Sequence, residues 1–273
     1  MKAWVNGRLL DGADDPALSV LDHGFTVGDG VFETVKVVSG RPFALTRHLA
    51  RLGRSAAGLG LAVPPDAEVR AAVDAVLAGA RWELTRLRIT VTAGIAPPGS
   101  GRGDAGPTLA VVAGPMDPWP ESTAVVTVPW PRNDVGAVAG LKTTSYAENV
   151  VALARAAEHD AGEAIFPNTR GQLCEGTGSN VFYVVDGELR TPTLGSGCLA
   201  GVTRALVLEW YGAVERDEPI SVLRDATEIF LASTTRDVQG VRRCDDRQLE
   251  APGPVTRKVR ARWAEESAKN PDP

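Results

Sequence analysis

Only five of the 29 basic residues are lysine (Lys2, Lys36, Lys142, Lys258 and Lys269), and arginine supplies the other 24. A G/C-rich coding bias accounts for arginine wherever a positive charge is all that is needed. A lysine kept under that bias points to something a guanidinium cannot do. An amine can lose its proton and attack a carbonyl, whereas a guanidinium, with a pKa above ~12, stays charged. Lys142 stands alone between positions 36 and 258, flanked by Leu141 and Tyr146, which suit a partly buried setting. Downstream lies a spaced series: E-G-T-G-S-N-V-F from Glu175, six residues, L-R-T, seven residues, then L-A-G-V-T-R ending at Arg204. It offers a carboxylate, an amide and hydroxyls. At Gly201-Val202-Thr203 it also offers the start of a predicted helix, where free N–H groups and the helix dipole attract anions.

This series resembles the signature of the class IV aminotransferases, the fold-type IV pyridoxal-phosphate enzymes. Four further blocks, in the expected order, extend the resemblance over residues 20 to 240. They are G-D-G-V-F-E at 28–33, H-L-A-R-L at 48–52, G-L-K at 140–142 followed by Asn149, and S-T-T at 233–235. The resemblance implies an α+β, two-domain fold of the D-amino-acid aminotransferase type with the active site between the domains. It also implies pyridoxal 5'-phosphate as cofactor, a small-molecule amino substrate and a homodimer.

That cofactor needs an amine for its aldehyde, an acid for its pyridine nitrogen, and cationic or N–H donors for its phosphate. By the resemblance, Lys142 is the Schiff-base lysine and proton shuttle, and Glu175 keeps the pyridine nitrogen protonated, since a carboxylate beside a cation favours the charged form. Arg51 falls where the family places a phosphate-binding arginine; without the family pattern, Arg47, Arg51 and Arg54 read equally well as a solvated helix face. Val202, Thr203 and Thr234 are implied phosphate contacts, with a helix cap or loop hydroxyl the competing reading for each Thr. Asn180 either orients the site beneath the cofactor or serves a turn. On the substrate side the candidates are Phe32, Thr34, Tyr146 and Arg236. His23, His48 and His159 show no metal-ligand spacing and read as structural.

All branches of the family share this cofactor set, so the reaction must be read from the substrate side. The Arg-x-His pair by which D-amino-acid aminotransferases hold the substrate carboxylate is absent from Thr92–Pro98. The F-E-T run, Gly-Ser-Gly-Arg-Gly at 99–103 and K-x-x-x-Y after Lys142 resemble the 4-amino-4-deoxychorismate lyase branch. The expectation is therefore a lyase that releases pyruvate and 4-aminobenzoate. The alternative is an aminotransferase acting on a D-amino acid, a branched-chain amino acid or a chiral amine. A lyase must hold an aromatic diacid. Arg88, Arg102 and Arg236 are the available cations, with Arg236 best placed by sequence; each also reads as a plain surface arginine, and for Arg88 and Arg102 that reading comes first.

The elements that must position these residues follow from periodicity. Asn6-Gly7 marks a tight hairpin, FETVKVV at 32–38 a strand, and the apolar spacing of Leu45, Leu49, Leu52 and Ala56 a helix over 45–59. A second helix is expected at 67–80, and strands at 87–92 and 108–112. Between those strands, eight Gly or Pro residues in the fourteen of 94–107 read as a mobile loop. Proline crowding at 114–120 suggests a linker between a smaller domain, 1–113, and a larger one, 121–273, that carries the lysine. In the larger part, strands are expected at 123–128, 163–166, 181–185, 188–191 and 228–233, with helices at 146–159, 202–210 and 254–268.

Composition narrows the remaining classes. Of 273 residues 44% are hydrophobic and 23% charged, a globular profile, and the net charge of −5 leaves no basic footprint for nucleic acid. No apolar run approaches the ~18 residues that would span a membrane, and Asn6, Gly7 and Arg8 interrupt any signal-peptide core. Cys174, Cys198 and Cys244 form neither a disulfide framework nor a zinc motif. A cytoplasmic enzyme without a metal is the expectation.

Overall fold

Asn6 and Gly7 adopt the left-handed φ of 43° and 89° that a two-residue hairpin requires, and so join β1 (Lys2–Val5) to β2 (Arg8–Leu9). The next strands are β3 (Gly30–Val38), after the short helix α1 (His23–Thr26), and β4 (Arg41–Pro42). Helices α2 (Leu45–Leu59) and α3 (Asp66–Leu77) follow, then β5 (Leu84–Thr92) and β6 (Thr108–Pro115). These six strands form one antiparallel sheet in the order β2-β1-β6-β5-β3-β4. Period-2 alternation puts Val31, Val35 and Val37 on the face that packs against Leu49, Leu52 and Ala56 of α2 and Val69, Val73 and Val76 of α3. Each fully buried side chain of this kind contributes about 2 kcal/mol. Glu33 shares that inward face and is completely buried.

The computed structural model describes residues 1–273, and the chain divides into two units. Unit 1 is Met1–Pro118 with Leu141–Ser145 and Pro271–Pro273; unit 2 is Trp119–Gly140 with Tyr146–Asn270. The lysine segment thus departs from the expected division, and a sheet edge explains why. Strand β4 covers β3 only at Val37 and Val38, which leaves the edge of β3 open at residues 30–32. Residues 142–144 fill it: Phe32 N–H donates to Lys142 O at 3.2 Å, Thr144 N–H donates to Gly30 O at 2.8 Å, and Val31 bridges Thr143.

Residues 271–273 belong to unit 1 for a similar reason. The residue preceding α2, Ala44, has no side chain to cap the helix. Asp272 does so instead, accepting from Thr46 N–H at 2.9 Å and Thr46 Oγ1 at 2.6 Å. The 94–107 stretch, expected to be mobile, is tied down by Arg102. Its guanidinium donates to both Asp29 oxygens at 2.7 Å and to the Leu59 and Gly60 carbonyls at the end of α2.

Unit 2 begins with β7 (Ser122–Thr127) and α4 (Ala147–Ala157), then β8 (Glu163–Pro167), β9 (Leu173–Gly176), β10 (Asn180–Val185) and β11 (Glu188–Thr191). Next come α5 (Val202–Trp210), β12 (Val214–Glu215), β13 (Glu228–Ser233), β14 (Asp237–Cys244), β15 (Arg247–Gln248) and α6 (Pro254–Lys269). The strands make a mixed sheet ordered β12-β11-β10-β13-β14-β7-β8-β9, with β15 on β14. Alternation again sorts its faces. Val126, Ala164 and Phe166 pack with Ala152 and Ala156 of α4, while Val125 and Ile165 join Val181, Tyr183 and Ile229 on the other side. Strand β14 was absent from the sequence-based reading because Gly240 and the Arg242–Arg243 pair break its apolar alternation. Its two neighbours, β13 and β7, hold it in the sheet. No helix is long and apolar enough to cross a membrane.

Candidate functional site

In unit 1, β3 and α2 bring together a buried carboxylate, an imidazole and a guanidinium. Arg51, two turns into α2, donates from Nε to Glu33 Oε1 at 2.8 Å and from Nη2 to Oε2 at 2.7 Å. His48, one turn earlier on the same helix face, shares Glu33 Oε2 at 2.7 Å through Nδ1. Burial pushes the Glu33 carboxyl up, but the charge and hydrogen bonds of Arg51, with the His48 bond, outweigh it and hold the carboxyl at about 2. Burial also lowers His48, opposed by Glu33 and reinforced by the charges of Arg51 and Lys142. A neutral imidazole that meets a carboxylate at Nδ1 must donate there, so the His48 tautomer carries its proton on Nδ1 and a lone pair on Nε2.

Lys142 sits at the β3 edge, its N–H donating to Ser55 Oγ of α2 at 3.1 Å. Its Nζ lies 4.2 Å from the centroid of the Phe32 ring. Arg88, on β5 opposite Thr34, places its guanidinium 3.7 Å from the same ring. Phe32, Thr34 and Arg88 therefore share the sheet face opposite Glu33, with Lys142 beside them. Arg88 is exposed, and its Nε donates to Thr90 Oγ1 at 3.2 Å.

In unit 2, Leu199 is the hub. Its N–H donates to Glu175 Oε2 at 2.9 Å, and its carbonyl accepts from Asn180 Nδ2 at 2.9 Å. A Cβ on Gly201 would lie 2.0 Å from Asn180 Oδ1, so only glycine lets the chain pass Asn180 and enter α5. No side chain caps α5, and Val202 and Thr203 at its start are buried. Thr234 lies in the turn after β13, two residues beyond Ala232, the register partner of Asn180. Tyr146 precedes α4 and is half-buried.

In unit 1, Phe32, Thr34 and Lys142 lie together while Arg51 lies with Glu33 on the opposite face of β3; in unit 2, Glu175 and Asn180 meet at Leu199, Val202 and Thr203 open α5, and Thr234 follows β13. Arg236, the remaining substrate-side candidate, lies in unit 2. It donates to Gly162 O at 2.8 Å and to Gln239 Oε1, stacks 4.0 Å over Trp119, and lies 3.8 Å from buried Glu163. The sequence reading missed Glu33, Arg132, Arg88's position and Leu199. A signal existed for Glu33, a charged residue at the inward parity of Val31, Val35 and Val37, where only a buried cation could satisfy it. No comparable pattern pointed to Arg132, which reaches Glu175 from a loop.

The donor set fits a phosphorylated carbonyl cofactor. Unit 1 offers an amine and a buried guanidinium locked by its own counter-ion; unit 2 offers a carboxylate anchored by a backbone N–H and an uncapped helix N-terminus with a buried hydroxyl. The family model for amino-transferase class IV matches residues 30–244. The chain belongs to the class IV aminotransferases.

Members of this family depend on pyridoxal phosphate. The chain is 31% identical to a D-alanine aminotransferase of Bacillus licheniformis, across 95% of this chain and 94% of that protein. It superposes at a TM-score of 0.87 on a branched-chain aminotransferase of Thermoproteus uzoniensis, with 29% identity and coverage of 97% and 94%. A fold IV-transaminase of Curtobacterium pusillum gives 0.83 at 34% identity, with coverage of 94% and 93%. The mixed α+β architecture is that of the fold-type IV enzymes.

Proposed function

We propose that this class IV aminotransferase moves an amino group between a small, apolar α-amino acid and a 2-oxo acid. The observation that carries this reading is Arg88. It sets a guanidinium on the Phe32 ring, beside the Lys142 amine, where the carboxylate of an α-amino acid would be held next to the reacting amino group. The named relatives, all aminotransferases, support it. The lyase reading asked for several cations facing an aromatic diacid. Arg236 and Arg102 are occupied with partners inside their own units, which favours a substrate with one carboxylate over a diacid.

Pyridoxal phosphate, when bound, supplies the aldehyde that takes up the substrate amine and a ring that accepts electrons from the substrate carbon. Lys142 is the amine that would take that aldehyde and afterwards carry the proton to and from the substrate carbon. Arg51 in unit 1, its plane fixed by Glu33, would serve the phosphate, and in unit 2 the first N–H groups of α5 and Thr203 are suited to the same group. Glu175 holds the proton on the ring nitrogen, and Phe32 offers an apolar wall to the substrate side chain. Two copies pair through apolar surface that a single chain leaves in water, including Val20 and Phe25, each 75% exposed, and Val150 and Val151 on α4.

The test is turnover by the pyridoxal-phosphate-loaded protein. D-Alanine, L-leucine and a chiral amine are each supplied with 2-oxobutyrate, which carries one carboxylate, and the new oxo product measured, with aminodeoxychorismate alone in parallel. Oxo-acid formation from an α-amino acid supports the proposal. Pyruvate from aminodeoxychorismate with no transfer from any amino donor overturns it in favour of the lyase. Borohydride reduction should fix the cofactor on Lys142, and an adduct on any other residue would refute that assignment.

A further inference from the structure

Arg132 reaches Glu175 from the loop after β7 and makes a set of contacts that nothing in the sequence announces. Its Nε lies 3.2 Å from Glu175 Oε1. Its Nη1 donates to Glu148 Oε2 at 2.8 Å and its Nη2 to Asn149 Oδ1 at 2.6 Å, both in the first turn of α4. The guanidinium plane lies 4.2 Å from the Phe166 ring centroid, and the Arg132 N–H donates to Pro167 O at 2.7 Å. Four partners around one largely buried side chain, with the backbone bond to Pro167, fix its position closely. The two Glu175 oxygens thereby have different neighbours: Leu199 N–H at Oε2 and the Arg132 cation at Oε1.

We propose that Arg132 is a positioning residue that sets where a shared proton resides, on Glu175 or on the ring nitrogen of the cofactor. This rests on the reading of Glu175 as the partner of that nitrogen. A carboxylic acid facing a pyridine and a carboxylate facing a pyridinium differ only in the position of one proton. The Arg132 charge touches the carboxylate side, so it stabilises the carboxylate–pyridinium arrangement over the neutral one. The pyridinium is the better electron sink, so the same contact raises the rate of proton removal at the substrate carbon. The guanidinium's two hydrogen bonds to Glu148 and Asn149 also fix the cation against α4 while its Nε edge stays 3.2 Å from Glu175, which a point charge cannot do.

The experiment uses holoenzyme reconstituted with pyridoxal phosphate carrying 15N in its ring, and reads the nitrogen chemical shift by NMR at neutral pH. The parent should give the protonated signal. Arg132→Met, which keeps apolar contact with Phe166, should move the signal toward that of a neutral pyridine and lower kcat by about tenfold or more, with KM little changed. Arg132→Lys should restore part of the shift, because it returns the charge without the fork. Glu175→Gln separates the two layers of the argument. If Glu175→Gln leaves the signal protonated, the role of Glu175 itself fails. If Glu175→Gln removes the protonated signal while Arg132→Met, folded by thermal melt, retains it, the proposal for Arg132 is overturned.

Discussion

Arg51 and Glu33 form a two-pronged ion pair in the interior of unit 1, Nε to Oε1 at 2.8 Å and Nη2 to Oε2 at 2.7 Å, with Glu33 fully excluded from water. Removing one partner of such a pair strands the other's charge, which costs ~3–5 kcal/mol. Glu33→Ala should therefore lose about that much stability and release pyridoxal phosphate more readily, since Arg51 no longer has a fixed plane. The pH dependence has a definite sign. The folded pKa of Glu33, about 2, lies below its ordinary 4.5, so its contribution is complete above 4.5 and disappears as pH falls toward 2. Urea midpoints measured between pH 5 and pH 2.5 (about the range these values set) should fall more steeply in the parent than in Glu33→Gln. Parallel slopes would show that the pair is not the acid-sensitive element.

Much of this arrangement was legible in the sequence because it is local. The face of α2 follows from the spacing of Leu45, Leu49 and Leu52, and the lysine and the spaced Glu175–Arg204 series name the chemistry. What was not legible depends on contacts distant in the chain. The open edge of β3 draws residues 142–144 into unit 1, and Asp272 caps α2 through Thr46, 226 residues earlier. Strand β14 shows no apolar period and exists because two neighbours supply its hydrogen bonds. Arg236 was equally out of reach of local pattern: its side chain packs on Trp119 and donates to Gly162 O, 74 residues earlier in the chain.

Gly201→Ala should injure the unit 2 grouping more than its size suggests. The added Cβ would fall 2.0 Å from Asn180 Oδ1, so either Asn180 or the start of α5 must move. Overpacking of this kind costs ~1–3 kcal/mol. Because Asn180 and Glu175 both bond to Leu199, the displacement should also weaken cofactor binding. Isothermal titration of the apoprotein with pyridoxal phosphate measures this. An unchanged affinity would mean that the Leu199 hub does not organise the cofactor site.

Arg88→Ala tests the substrate side separately from the cofactor side. Loss of a charged hydrogen-bonding partner for a carboxylate costs ~1.5–3 kcal/mol, so kcat/KM for α-amino acids should fall about 10- to 150-fold. Amine donors without a carboxylate should be unaffected, as should the dissociation constant of pyridoxal phosphate. Arg88→Lys should recover little, because the stacked plane over Phe32 is lost with the guanidinium. Equal losses for amino acids and simple amines would place Arg88 outside substrate recognition.

Arg102 governs the 94–107 loop, and its removal should separate local from global stability. Its hydrogen bonds to Asp29 hold that carboxyl below its ordinary value against the effect of partial burial, with His23 Nδ1 adding a contact at 3.3 Å. The pair is partly exposed, so its worth in global stability is at most about 1 kcal/mol and is screened by salt. The carbonyls of Leu59 and Gly60 hold the other side of the guanidinium, so one residue ties the loop to both β3's entry and the end of α2. In Arg102→Ala the thermal midpoint should therefore shift only slightly. The loop, rich in Gly and Pro and then held only by its backbone bonds at residues 94–96, should open often enough for a protease of broad specificity to cut between residues 97 and 107 well below that midpoint. Raised salt should bring the parent part of the way toward the variant. Cleavage of parent and variant at the same rate, with amide exchange in the loop also equal, would show that the backbone alone holds the segment and that the Arg102 bonds are incidental.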